Sequence, residues 1–161
     1  MTGTPATVAL TRAGVEFTLH PYEHAAGGPS TVSYGGEAAE ALGLSHEEVF
    51  KTLVARVDGR LVTAAVPVSG SLDLKALAAA LGAKKAAMAE PADAERATGY
   101  VVGGISLLGQ RSRMESVVDE SVLGLAAVYV SAGRRGLQVR LSPADLLRVS
   151  GARTAPLGRP G

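Results

Sequence analysis

The sequence predicts a mixed α/β (α+β) fold: a single domain with a mixed, curled sheet and intervening helices. Three observations carry this. Asp58-Gly59 separates two apolar runs, VFKTLVARV and RLVTAAV, and both central residues of a type I′ hairpin turn need the positive φ that Asp-Gly supplies. Leu74, Leu77 and Leu81 fall on one helical face that stops at Gly82. Strands and helices do not alternate regularly enough for a doubly wound nucleotide fold. A length of 161 residues suits one compact domain.

In chain order, Thr4-Pro5 opens a helix, with a capping hydroxyl followed by proline at the first helical position, and Gly14 ends it. Residues 15–19 alternate apolar and polar and predict a strand. His20 to Tyr34 is a Gly-, Ser- and Pro-rich loop, and 36–42 predicts a helix stopped by Gly43. Ser45-His46-Glu47-Glu48 has the form of a capping box and predicts a helical turn just before Lys51. A two-residue turn then pairs Val57 with Arg60 and Lys51 with Val66. A helix over 91–98 ends at Gly99. Residues 100–102 predict a strand leading into the turn Gly103-Gly104-Ile105-Ser106. Strands follow at 117–118, 127–130 and 137–141, and Ser142-Pro143 caps a last helix. From Gly151 the run ARTAPLGRPG reads as a flexible tail, so the domain is expected over 1–151 and the tail over 152–161.

Composition excludes several chemistries. The absence of cysteine rules out disulfides, thiolate metal sites and a cysteine nucleophile. His20, His24 and His46 lack ligand-like spacing, so neither a metal nor a cofactor is expected. A net charge of +1 leaves nucleic-acid contact to local clusters: Lys84-Lys85, Arg111 with Arg113, and Arg134-Arg135. Each of these pairs reads first as a solvated surface pair, and would suit a phosphate backbone if folding brings them to one rim. The N-terminal residues lack a signal-peptide pattern and no apolar stretch is long enough for a membrane helix, which predicts a cytoplasmic protein.

Alternation along the strand puts Lys51 on a face with Leu53, Ala55 and Val57, opposite Val62, Ala64 and Val66. Apart from Arg60 beside the turn, Lys51 is the one charge on an apolar face. Two readings follow. The stem lies over the core with its amine in water, or the ammonium is held in a pocket where weak screening strengthens its hold on an anion or a polarised carbonyl. Gly103-Gly104 is likewise a tight turn or a nest of amide donors. Tyr22 is a stacking or hydroxyl-donating candidate, or a partly buried core residue. Ser106 and Ser131 have no histidine near them in sequence to make a nucleophile.

The segments HPYEH, GGEAAEALGLSHEEVFKTLV, PVSGSLDLKALAAALGAKKAAMAEPADAERATGYVVGGIS and VYVSAGRRGLQV resemble, in that order, the bacterial YbaK family. These are Cys-tRNA(Pro) deacylases related to the editing insertion domain of prolyl-tRNA synthetase. The resemblance implies the single barrel-like editing domain and hydrolysis of the ester between a mischarged amino acid and the tRNA 3′ end. It implies Lys51 as the residue essential for deacylation. It also implies a substrate pocket of Tyr22, Thr52, Gly103, Gly104, Ile105, Ser106 and Ser131. It implies, too, that the substrate's own thiol attacks the ester and leaves as a cyclic thiolactone. Two departures bear on substrate choice. Leu107 stands where the family commonly has proline, and residues 25–34 form a longer loop. The implied partners are Cys-charged tRNA(Pro) and, for tRNA selection, prolyl-tRNA synthetase. An Ala-tRNA(Pro) deacylase and a non-catalytic module binding tRNA ends or a synthetase are the competing readings.

Overall fold

The computed structural model describes residues 3–23 and 34–160. Helix α1 (Pro5–Arg12) opens on a reciprocal cap: the Thr7 amide donates to the Thr4 hydroxyl oxygen and the Thr4 amide to that of Thr7. Strand β1 (Thr18–Pro21) begins later than the expected 15–19. Val15 instead donates its amide to Leu10 O and buries its side chain behind the helix. Helix α2 (Tyr34–Leu42) follows; the longer loop expected over 25–34 lies almost wholly outside the described residues. Ser45–Glu48 makes a single turn in which Glu48 Oε1 accepts from the Ser45 amide at 3.1 Å.

Strands β2 (Phe50–Val57) and β3 (Arg60–Pro67) form the expected hairpin, with Val57 opposite Arg60 and Lys51 opposite Val66. Asp58 (φ 47°) and Gly59 (φ 88°) take the positive φ of the turn. Strand β4 (Gly70–Leu72), helix α3 (Leu74–Ala80), strand β5 (Ala86–Met88) and helix α4 (Pro91–Thr98) follow. Strand β6 (Ser116–Asp119) leads into a 3₁₀ turn over 120–124. Strands β7 (Val128–Arg134) and β8 (Leu137–Leu141) then make a second hairpin, and Ser142 caps helix α5 (Pro143–Ser150). Strands β9 (Arg153–Ala155) and β10 (Gly158–Pro160) close the described chain.

Two expectations are corrected. Residues 100–102 are not a strand, because other partners take their polar groups. The Val102 amide donates to Glu95 Oε2 at 2.8 Å, its carbonyl accepts from Arg135 Nε at 2.7 Å, and the Tyr100 amide donates to Thr98 Oγ1 at 3.2 Å. Residues 152–160 are not a free tail. Strand β9 pairs parallel to β6 and β10 antiparallel to β4, with Leu157 between them completely buried. Asp119 Oδ1 accepts from the amides of Leu157 and Gly158, both at 2.8 Å.

The strands form sheets in the orders β5-β2-β3-β6-β9, β1-β8-β7 and β10-β4. The first two enclose the main core, where Phe50, Val54, Ala65 and Val118 meet Val128, Val130, Val139 and Leu141. A second core lies on the other face of the β2–β3 hairpin, where Ala55, Val57, Val62 and Val66 pack with Leu77 of α3 and with Leu157. The two sheets join at one parallel bridge, Val49 with Tyr129, whose amide donates to Glu48 O at 2.9 Å. That bridge curls them into one wall and places β7 beside the start of β2. Among the described residues no helix is long and apolar enough to cross a membrane.

Candidate functional site

The wall is open along one short stretch. Strand β2 pairs with β3 over its whole length, but its other edge meets β7 only at Val49 and β5 only from Ala55 onward. Between these contacts, Val54 O accepts from the Ala89 amide, and the edge from Lys51 to Leu53 takes no backbone partner among the described residues. A cavity of about 270 Å³ lies at this slot. Its walls include Lys51, Thr52, Met88, Ala94, Gly103 and Ile105. A wider groove of about 680 Å³ lies across residues 14–18 and 140–145, and none of the expected site residues borders it.

Lys51 ends the apolar face that alternation assigned to it, since Ala55 and Val57 belong to the second core and Leu53 packs against it. It is partly buried, and desolvation pulls its pKa below the ordinary lysine value of 10.5. Among the described residues no carboxylate pairs with it. Thr52, on the opposite face, has a buried hydroxyl with no hydrogen-bond partner. A buried hydroxyl left unpaired costs stability, so a ligand that supplies the partner recovers that cost.

The glycine turn closes the slot from the other side. Gly103 has φ 91°, a conformation that strains any residue with a Cβ. At Gly104 a Cβ would stand 2.8 Å from Arg134 Cα and 2.9 Å from the Arg135 nitrogen, so only glycine lets the turn lie on the β7–β8 connection. The amides of Gly103 and Ile105 donate to no acceptor among the described residues, while that of Gly104 donates to Val101 O at 2.8 Å. Ser106 sits behind the turn, fully buried, its Oγ accepting from the Leu108 amide at 3.2 Å. Tyr100 is also structural: burial pushes its pKa up to about 12, and its hydroxyl donates to Leu108 O at 2.6 Å.

Tyr22 and Ser131 form a second group. Val49 and Tyr129 share one small cluster, so two residues further along the diverging strands Lys51 and Ser131 present to the same face. Ser131 is paired with Gln138, which is paired in turn with His20. The Tyr22 amide donates to Gly136 O at 2.9 Å. Burial raises the Tyr22 pKa, and the Gly136 amide and the Gln138 side chain act against that rise. The structure therefore gathers Lys51, Thr52, Gly103 and Ile105 around the cavity. It sets Tyr22 and Ser131 on the β7 side of the slot, and packs Gly104 and Ser106 behind the turn. Leu107 is buried in the main core.

Sequence reasoning missed Gln138 and Glu95, and named Arg135 only as half of a basic pair, not as a support of the turn. Gln138 is buried and its Oε1 has no partner. Glu95 and Arg135 hold Val102, the residue that sets the glycine turn, from its two sides. The signal for Gln138 lay in the alternation of LQVRL once paired with VYVSA; for Glu95 and Arg135 there was none, because their contacts are non-local.

An apolar slot that carries one uncompensated ammonium and free amide donors is chemically suited to a small polarised carbonyl group. The chain belongs to the aminoacyl-tRNA editing domain family, whose model matches residues 29–149. The class of enzyme expected from the sequence, an aminoacyl-tRNA deacylase, is the one that family describes. A protein of Enterococcus faecalis named as a candidate Cys-tRNA(Pro)/Cys-tRNA(Cys) deacylase, EbsC, is 38% identical over 121 residues, or 74% of this chain and 73% of the relative. A crystal structure described as a candidate trans-editing enzyme for prolyl-tRNA synthetase superposes with a TM-score of 0.82 at 25% identity, covering 96% of this chain and 95% of that one. A scaffold carrying a grafted epitope matches with the same TM-score and coverage at 23% identity, a likeness of fold.

Proposed function

We propose that the protein removes cysteine from mischarged tRNA(Pro), acting in trans in the cytoplasm, with Lys51 as the residue that positions and polarises the ester. The observation that carries this is the open edge of β2, where Lys51, with its desolvated ammonium, Thr52, with its unpartnered hydroxyl, and Gly103 and Ile105, whose amides have no acceptor among the described residues, line one small apolar cavity. A site of this kind needs no protein nucleophile. It holds the ester carbonyl so that charge developing on its oxygen meets amide donors and an ammonium in poorly screened surroundings.

With a cysteinyl ester the substrate's own sulfur is the nucleophile. A bond forms between that sulfur and the carbonyl carbon, the bond to the tRNA 3′-terminal oxygen breaks, and the thiol proton ends on the released tRNA hydroxyl. The cysteine leaves as a cyclic thiolactone. Tyr22 and Ser131 are assigned to the terminal adenosine and Thr52 to the aminoacyl group. A cavity of about 270 Å³ suits a small side chain, which favours Ala-tRNA(Pro) as the second reading.

One panel tests both readings: tRNA(Pro) charged with cysteine, alanine or serine, and tRNA(Cys) charged with cysteine, each with and without prolyl-tRNA synthetase. Cleavage of the cysteinyl ester with little cleavage of the seryl ester is the expected result. Alanyl cleavage at a comparable rate overturns the thiol mechanism. Binding of every charged tRNA without turnover overturns the enzymatic assignment. Stimulation by the synthetase supports it as the source of tRNA selection.

A further inference from the structure

Residues 99–104 form a bridge with basic groups at both ends. At one end Gly99 packs against the Arg111 side chain, where a Cβ would lie 3.3 Å from that of Arg111, and the Arg111 amide is fixed to Thr98 O at 2.9 Å. At the other end Gly104 lies on the backbone of Arg134 and Arg135. In between, Val101 is 51% exposed. The far end is the glycine turn itself, whose Gly103 lines the slot, so Arg134 lies just behind the slot wall and Arg111 at the other end of the bridge.

The members of this group have different environments. Arg135 is turned back onto the protein, donating to Val102 O. Arg111, Arg113 and Arg134 are exposed, and none has a carboxylate partner among the described residues. Six other arginines, Arg56, Arg60, Arg96, Arg148, Arg153 and Arg159, each sit 2.6–3.5 Å from a carboxylate, while Arg12 and Arg140, on other parts of the fold, are also unpaired among the described residues. In a chain of net charge +1, Arg111 and Arg134 put unpaired cations at the two ends of residues 99–104, a grouping that composition conceals.

We infer that Arg134 and Arg111 contact the phosphates of the single-stranded RNA that leads into the slot, on either side of Val101. This rests on the proposed deacylase function and adds to it the path of the RNA. The 3′ nucleotide enters between β2 and the glycine turn, and the phosphates behind it run along residues 99–104. Guanidinium groups suit this task because their planar donors match phosphate oxygens two at a time. Arg135 keeps the turn in place as a positioning residue while Arg134, its neighbour, meets the RNA.

The test compares wild type with Arg134→Gln, Arg111→Gln, the double variant and Arg134→Lys on two substrates: cysteinyl-tRNA(Pro) and 3′-O-cysteinyl adenosine, which has no phosphates. For the tRNA, each glutamine substitution is expected to lower kcat/KM roughly threefold through KM. The slope of log kcat/KM against log salt, between about 50 and 200 mM, is expected to flatten by about 0.7 per contact removed. Arg134→Lys keeps the slope, and cleavage of the adenosine ester is unchanged throughout. Parallel losses on both substrates, or an unchanged slope with tRNA, overturn the inference. If wild type cleaves neither substrate, the deacylase reading fails by itself. The salt slope for binding uncharged tRNA to the same variants then supports or overturns the arginine contacts.

Discussion

The two halves of β2 differ in a way that separates structure from chemistry. From Ala55 to Val57 the strand is paired on both edges and buries Ala55 and Val57 completely in the second core. From Lys51 to Leu53 one edge is unpaired among the described residues and the side chains are only partly buried. The first half holds the sheet together with ordinary hydrophobic burial. The second leaves a desolvated cation and an orphaned hydroxyl at a gap, features that cost stability, a cost that a ligand supplying their partners would offset. A change in one half should therefore move stability and leave turnover per folded molecule intact, and a change in the other should do the reverse.

The largest expected effect is that of Lys51→Met. Turnover of the cysteinyl ester should fall about 10²- to 10³-fold, the range for removing one donor to a developing oxyanion. Tm should hold or rise at neutral pH. The sign follows from linkage. The folded-state pKa of Lys51 lies below 10.5, so the unfolded chain binds more protons between the two values. Its charged form thus opposes folding below the folded pKa, and that opposition is relieved as pH rises toward 10.5. The same depression should bring the alkaline limb of the wild-type rate profile below the ordinary lysine range. Loss of both turnover and Tm would show Lys51 to be a structural residue.

Leu157→Ala should cost about 2–5 kcal/mol in denaturant unfolding, since it empties a fully buried site in the second core. The kcat of the folded fraction should be unchanged; a fall in kcat at unchanged stability would break the division between the halves. A smaller effect is expected from Thr52→Val. Removing an unpaired buried hydroxyl should leave stability within about 1 kcal/mol or raise it, while KM for the charged tRNA increases. An unchanged KM would mean that the hydroxyl meets no substrate.

The same division explains what could be read from the residues. The β2–β3 register was legible to the residue because it depends on adjacent residues: Asp58-Gly59 sets the turn and alternation sets the faces. The caps at Thr4 and Ser142 and the stop at Gly99 are equally local. Residues 100–102 look like a strand by composition, but non-local partners at Glu95 and Arg135 decide otherwise. The run after Gly151 reads as tail because glycine and proline break it up and no apolar period runs through it, yet one leucine and the Asp119 carboxylate tie it down. Burial raises the Asp119 pKa, but hydrogen bonds from Ser121, Leu157 and Gly158 more than reverse this and leave it below 3.8. In the site, Lys51 was conspicuous by its face. The gap it faces was not, since an unpaired edge arises from where β5 and β7 stop, and neither end is written in β2.

An unpaired strand edge is ordinarily a hazard, because it offers a row of donors and acceptors to any other extended chain. Here the exposed stretch is three residues, about 10 Å of strand. That is room for an aminoacyl ester and one sugar, but too short to template a foreign strand. The bridge at Val49 and the ladder at Ala55 mark its two limits. Loosening β5 would lengthen that edge and offer more of it to another extended chain.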